Sequence, residues 1–321
     1  MSKVPNSLTP LLLLLLLLLF FSTFLITTTI STTTSSSSQL IYHKGPILTS
    51  PINIYLTWYG SFSPTHFSTI SSFFFSFSSS SSSSIPHWWS TTQSYKNLAG
   101  KPPSTSITLA GTTHLSNLSS SLGKPLTRSN LITILNHVIS KGSLPLDPTG
   151  IYFVLTAGDV AVERFCMGSC GFHAGYVEVI KGKEKVVVAH VGDPGQQCPG
   201  TCAWPYAVPA YGPPGPALVA PNGVGVDGMV MNLATVIAGA ATNPAGDGWY
   251  QGDRLAPLEA VTACPGVFGP GAYPGYPGEL AVDRRSGASF NAYGAGGRKF
   301  LVPAMWDPVT GTCKVAAATA S

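Results

Sequence analysis

Charge is scarce in this chain: Asp, Glu, Lys and Arg together make up 9% of its 321 residues, against about 25% in an average soluble protein. Its 17 basic residues are scattered and the formal net charge is only +4, so both the electrostatic footprint and the motifs of a nucleic-acid binder are missing. A pI near 8.7 is compatible with adhesion to acidic polysaccharide. There is no G-x-S-x-G nucleophile elbow. Gly294-Ala-Gly-Gly297 lacks the Lys-Ser/Thr and the flanking strand and helix of a phosphate loop, and reads as a turn. Asp159, Asp193, Asp227, Asp253 and Glu259 include no closely spaced carboxylate pair of the glycosidase kind. No repeat of about 20 to 50 residues is visible. Apart from the amino-terminal leucine run, no stretch reads as a membrane span, and Lys314 to Ser321 lacks the hydrophobic tail of a lipid-anchor signal.

What is present begins with Lys3 followed by the leucine run Leu11 to Leu19, which continues through Phe20, Phe21, Phe24, Leu25 and Ile26. That is the plan of an export signal. A membrane anchor is the rival reading, but no basic stop-transfer cluster follows. The expected division is a signal peptide over 1–31, a low-complexity leader over 32–44 and one domain over 45–321, with a Ser/Phe-rich flexible segment over 61–84 that reads as a helix-to-loop element followed by a polyserine spacer. Six cysteines, Cys166, Cys170, Cys198, Cys202, Cys264 and Cys313, are an even number behind an export signal, so three disulfides are expected. The two C-x3-C spacings suggest local bridges, Cys166 to Cys170 and Cys198 to Cys202, with Cys264 left for Cys313. A four-thiolate zinc site is the competing reading. Asn117-Leu-Ser119 is a glycosylation sequon, making Asn117 the expected attachment site.

Along the chain, Pro51 to Gly60 alternates and is rich in β-branched and aromatic residues, as a strand does. Ser106 to Ala110 and Ile151 to Thr156 read as strands, and Tyr176 to Ile180 with Lys185 to Val191 as a hairpin. Thr127 reads as the N-cap of a helix whose apolar positions are Leu131, Ile134, Leu135, Val138 and Ile139, stopped by Gly142. Gly228 to Ala241 is almost wholly apolar, with Asp227 as its N-cap; a helix apolar all round belongs at the centre of a fold. The remainder, Thr242 to Cys313, reads as turns and short strands. The predicted architecture is α+β: one domain with a mixed sheet and a central apolar helix.

Several strings resemble the EXORDIUM (phosphate-induced protein 1) family of plant extracellular proteins. They include Ile52-Asn-Ile-Tyr-Leu-Thr-Trp-Tyr-Gly60, Gly150-Ile-Tyr-Phe-Val-Leu-Thr-Ala157, Phe165-Cys-Met-Gly-Ser-Cys-Gly-Phe-His173, Gln197-Cys-Pro-Gly-Thr-Cys-Ala-Trp-Pro205 and Pro303-Ala-Met-Trp-Asp-Pro308. The resemblance spans nearly the whole mature chain. It implies residence in the apoplast and cell wall and a part in cell expansion and growth signalling, with brassinosteroid and nutrient response. It supplies no catalytic activity. The departure is Ser61 to Ser84, where the family usually carries a charged amphipathic helix.

Met231 to Pro244, with Gly248-Trp-Tyr250 and Cys264, is also similar to the active helix of bacterial zincin-type metallopeptidases. Zinc chemistry there needs ligands at i and i+4 on one helix face with a Glu beside them as general base. The corresponding positions here are Thr235, Val236 and Gly239. The similarity implies a degenerate zincin-like scaffold without its metal; the plainer reading is a buried helix with no such ancestry. His173 is a candidate ligand or base, or a structural histidine beside disulfides, and His190 ends an apolar strand. Trp88, Trp89, Trp204, Tyr206, Tyr211, Trp249, Tyr250, Tyr273, Tyr276 and Trp306, amid Gly and Pro, suit either sugar platforms or the sealing of an irregular core. The expectation is therefore a non-enzymatic secreted monomer without catalytic, metal or cofactor residues, binding a wall polysaccharide or a receptor ectodomain and no nucleic acid. The alternatives are a wall hydrolase or protease with an unrecognised site, and a lectin-like module.

Overall fold

The computed structural model describes residues 39–79, 83–115, 125–179, 184–213 and 215–316. In chain order its elements are β1 (Ile41–Tyr42), β2 (Ile52–Tyr59), α1 (Pro64–Phe75), α2 (Ile85–Trp89), β3 (Ile107–Leu115), α3 (Arg128–Ser140), β4 (Ile151–Thr156), β5 (Gly171–Val179), β6 (Glu184–Gly192), α4 (Pro199–Cys202), α5 (Val224–Thr242) and β7 (Trp249–Tyr250). Strands of two or three residues and one short 3-10 turn (Ala295–Gly297) follow, between Ala281 and Lys314. The expected mixed α and β architecture is observed, with several sheets and three disulfides.

The main sheet has the order β3-β2-β4-β6-β5. Its first four strands are parallel and β5 runs antiparallel at one edge. Parallel strands are covered on both faces and so read as continuous apolar runs; all six residues of β4 are buried. Alternation sorts them. Leu56 and Trp58 of β2, Phe153 of β4 and Val191 of β6 share one core with residues of α1 and α5. Tyr55, Tyr152, Val186 and Val188 pack on the opposite side with Leu135, Val138 and Ile139 of α3.

Helix α3 starts where its capping residue places it. The Thr127 side chain accepts from the Asn130 amide at 3.2 Å, and the Asn130 side-chain oxygen accepts from the Thr127 amide at 2.7 Å. This reciprocal box satisfies two otherwise orphaned donors. Thr127→Ala should lower unfolding free energy by about 1 kcal/mol in chemical denaturation, with Thr127→Ser close to the parent.

Four expectations change. The Ser/Phe segment over 61–84 is not flexible throughout: the expected helical part is α1, and Phe73, Phe74 and Phe77 are buried. Ile70, Phe73, Phe74 and Phe77 fall at i, i+3, i+4 and i+7, one helical stripe, and Pro64 is pre-organised for a first turn. Phe73 meets Phe300 at 5.7 Å and Phe77 meets Trp89 at 5.6 Å. Residues 80–82 lie outside the described ones, as do the signal region and Asn117. Second, the folded chain begins before residue 45: Leu40 is in the core, and β1 pairs with β7.

Third, α5 begins at Val224, so Asp227 lies in its first turn and is not the N-cap. Its carboxylate reaches back to the amides of Asn222 and Gly223, at 2.7 and 3.1 Å. The helix has the length and hydropathy of a membrane span, yet 78% of that window is buried inside the protein. It is a core helix. Fourth, the cysteine pairing differs: Cys166 joins Cys198 and Cys170 joins Cys202, whereas Cys264 to Cys313 is as expected. Cys198 and Cys202 flank one helical turn, whose i and i+4 Cβ atoms stand about 5–6 Å apart. A disulfide needs about 3.8 Å, so both cysteines turn the same way and bridge a neighbouring loop.

Candidate functional site

Two chain segments far apart in sequence close a cleft over α5. One is edge strand β5 with the loop before it, tied to α4 by the two parallel disulfides; the other is the turn-rich segment 243–262. Between them lies a cavity of about 550 Å³. Thr235 and Val236 of α5 line it, with His173 from β5 and Glu259 from the opposite segment.

His173 and Glu259 are 86 positions apart in sequence and form the inner wall. The imidazole Nε2 lies 2.9 and 3.1 Å from the two carboxylate oxygens of Glu259. Glu259 Oε1 also accepts from the Asn243 amide at 2.7 Å, and the Asn243 side-chain oxygen accepts from the Gly248 amide at 2.7 Å. Burial pulls the His173 pKa down, but the Glu259 charge and hydrogen bond outweigh it and the net shift is upward. The Glu259 carboxylate thus favours the protonated form of the His173 ring. His173 Nδ1 is buried with no protein partner among the described residues.

Gly239 makes this arrangement possible. A Cβ there would collide with Glu259 Oε2 and come within 3.2 Å of His173 Nε2, so the helix surface at 239 must be bare. Thr235 and Val236 thus line the cleft, and what fills the space beside Gly239 is the His173–Glu259 pair.

The outer rim is cationic. Arg128, Arg164 and Arg254 line the mouth, and Glu259 is the one acidic residue of the lining. The Arg128 guanidinium lies over the Phe172 ring at 4.2 Å, and Arg254 Nε donates to the Gly246 carbonyl at 3.0 Å. Arg164 has φ +67°, in the left-handed region that non-glycine residues rarely occupy. It sits just before Cys166, where the bridge to Cys198 pins the loop.

The other sequence candidates fall elsewhere. His190 is buried under the sheet beside Thr156, with Nε2 and Oγ1 3.0 Å apart. Asp193 pairs with His66 at 3.1 Å. Among the described residues, no group of three or more His, Cys, Asp or Glu side chains is placed to hold a metal ion. Of the aromatics, Trp88, Trp89, Tyr206 and Trp306 are buried, and Trp88 Nε1 donates to the Pro303 carbonyl at 2.8 Å. They seal the core. Tyr211 and Tyr273 are exposed. Gly294 to Gly297 is a turn, as expected. Glu259 and the three arginines carried no local signal: each lies in a loop or at a helix start, Arg164 and Arg254 directly after an acidic residue, with no motif around it.

The chain belongs to the phosphate-induced protein 1 family, whose conserved region matches residues 40–316. It is 46% identical to Protein PHOSPHATE-INDUCED 1 of Nicotiana tabacum over 281 residues, 85% of this chain and 87% of that protein. It is likewise 46% identical to Protein EXORDIUM of Arabidopsis thaliana over 283 residues, 85% of this chain and 88% of that protein. Protein EXORDIUM-like 2 of the same plant is 45% identical over 283 residues. No solved structure matches the chain.

Proposed function

We propose that this chain is a secreted, growth-related plant protein of the apoplast and cell wall that acts by holding a ligand in the α5 cleft and not by catalysis. On this reading it serves cell expansion and growth signalling, under brassinosteroid and nutrient control. Family membership supports the growth-related part. The leucine-rich amino terminus and three disulfides with no free cysteine among the described residues support export into an oxidising compartment.

The observation that carries the binding reading is the chemistry of the cleft wall. Thr235, Val236 and Gly239 offer no group that binds zinc well or acts as a base near neutral pH. His173 and Glu259 are held by each other and by Asn243. We further read the architecture as a zincin-like scaffold that has lost its metal site. The similarity over 231–250 supports this, together with the position of the cleft over Thr235 and Val236.

The test uses the secreted, glycosylated protein, incubated with wall polysaccharides and with denatured protein while its metal content is measured by elemental mass spectrometry. The expected result is saturable retention on a wall component, no product and no stoichiometric metal. Released sugars or peptides, or near-stoichiometric zinc, would sink this reading.

A further inference from the structure

The cleft does not end at α5. A second cavity of about 250 Å³ shares Thr235 and Thr262 with it, and a third of about 560 Å³ shares Thr201, Trp204, Pro265 and Gly266 with the second. Through these shared residues the three run on as one trough, past Thr235 on α5 and the α4 disulfides. Its chemistry changes along its length. The first end holds Arg128, Arg164 and Arg254, and the last has no charged residue in its lining. In their place the last end has Trp204, Tyr211 and Tyr273, the two tyrosines 87% and 64% exposed.

Each end has a part that is held in place. The Arg128 guanidinium rests on Phe172, Arg254 is bonded to the Gly246 carbonyl, and Arg164 lies beside a disulfide. At the far end Tyr273 and Tyr276 exchange backbone hydrogen bonds at 3.0 and 2.8 Å, and Trp204 packs against Phe268 at 6.0 Å. Ordered side chains lose less freedom when a ligand arrives.

We infer that this trough binds an extended glycan carrying free uronate residues, a partly esterified polyuronate, with a carboxylate among the arginines and uncharged sugar rings over the aromatics. Arginine's planar fork matches a carboxylate in a way no other side chain does. Three arginines gathered in a chain with 9% charged residues form a local positive field. Aromatic faces hold the apolar faces of sugar rings by dispersion. A uniformly charged polyanion would meet no cation at the far end, and a neutral glycan would leave the arginines unused. This assignment rests on the proposed binding role of the cleft and specifies its ligand.

The experiment is titration calorimetry on the full secreted protein with galacturonic-acid oligosaccharides that are free, partly methyl-esterified or fully methyl-esterified. The expected order of affinity is partly esterified above free, and free above fully esterified. Arg164→Ala with Arg254→Ala should weaken binding of the first two by about tenfold or more and reduce its salt dependence. Tyr211→Ala with Tyr273→Ala should weaken the long chains by about tenfold, spare a single galacturonate and leave the salt dependence alone. All four residues are exposed, and unchanged thermal melts verify that the variants fold.

Binding that neither variant alters, equal affinity for the fully esterified chain, or equal affinity for polyaspartate would each overturn the inference while leaving the binding role intact. Released products would instead overturn the binding role itself.

Discussion

A His190→Gln protein should gain stability on acidification from about pH 6 to about pH 4, while the parent chain stays nearly level and Asp227→Asn loses stability over the same range. The two buried groups titrate in opposite senses. Burial, with a smaller push from the Arg128 charge, depresses His190 from 6.5 to about 3. Unfolded chains bind a proton there below about pH 6.5 and the native protein does not, so the stability His190 contributes is present above that value and is lost as pH falls. At one proton the loss is about 1.4 kcal/mol per pH unit, roughly 5 kcal/mol by pH 3.

Asp227 runs the other way. Burial raises its carboxyl from 3.8 to about 6, although the Asn222 and Gly223 amides and the Arg298 charge favour its ionised form. Its contribution is therefore fully present below about pH 3.8 and is lost as pH rises through about 6, roughly 3 kcal/mol in all. In the overlapping window the unfolded chain holds an extra proton on His190 and the native protein an extra one on Asp227, and the slopes cancel. Denaturant titrations at several pH values, with the parent and both variants, check this. Parallel pH profiles for the parent and His190→Gln would refute the assignment. Asp193 and Asp307, both held below the usual carboxylate range, add their own acid loss only below the window. His173 is shifted upward, so its contribution is lost on the alkaline side.

Removing both parallel disulfides should lower stability by about 7 kcal/mol, but removing either alone by only about 3. Each closes a sequence separation of 32 residues, which restricts the unfolded chain by about 4 kcal/mol. Once one bridge is present the other closes a ring of only about ten residues, and its added effect falls to about 3 kcal/mol. The measurement compares a Cys166→Ala/Cys198→Ala protein, a Cys170→Ala/Cys202→Ala protein and the quadruple variant in denaturant unfolding. Non-reducing peptide mapping should also link Cys166 to Cys198, and a Cys166 to Cys170 fragment would refute the pairing. Ligand binding should fall more in the Cys166/Cys198 variant than stability accounts for, because that bridge lies two residues from Arg164 at the rim.

Much of the architecture was legible because its causes are local. The alternation of Ile52 to Tyr59, the apolar run of Ile151 to Thr156 and the cap at Thr127 each act within a strand or one helical turn. The same local rule places Ile70, Phe73, Phe74 and Phe77 on one stripe of the helical part of the Ser/Phe segment, but the serines between them hid how completely that stripe is buried. Those serines are compatible with the helix because small hydroxyls bond back to it, as Ser76 does to the Ser72 carbonyl at 2.5 Å. The start of α5 was missed because Gly223 and Gly225 carry no start signal, while Asp227 imitated a cap from inside the first turn.

The sequence by itself determined the family, the main strands, the central helix and the presence of three disulfides, since each is written in adjacent residues or in long matching strings. Only the tertiary structure decided which cysteines join, which histidine meets Glu259, and that three arginines from separate segments share one rim. Those relations depend on the sheet order, which sets β5 at the edge over α5 and brings the segment 243–262 against it. Residues 86 positions apart leave no mark on each other's neighbours in the chain; they meet because burying both faces of the sheet places them there.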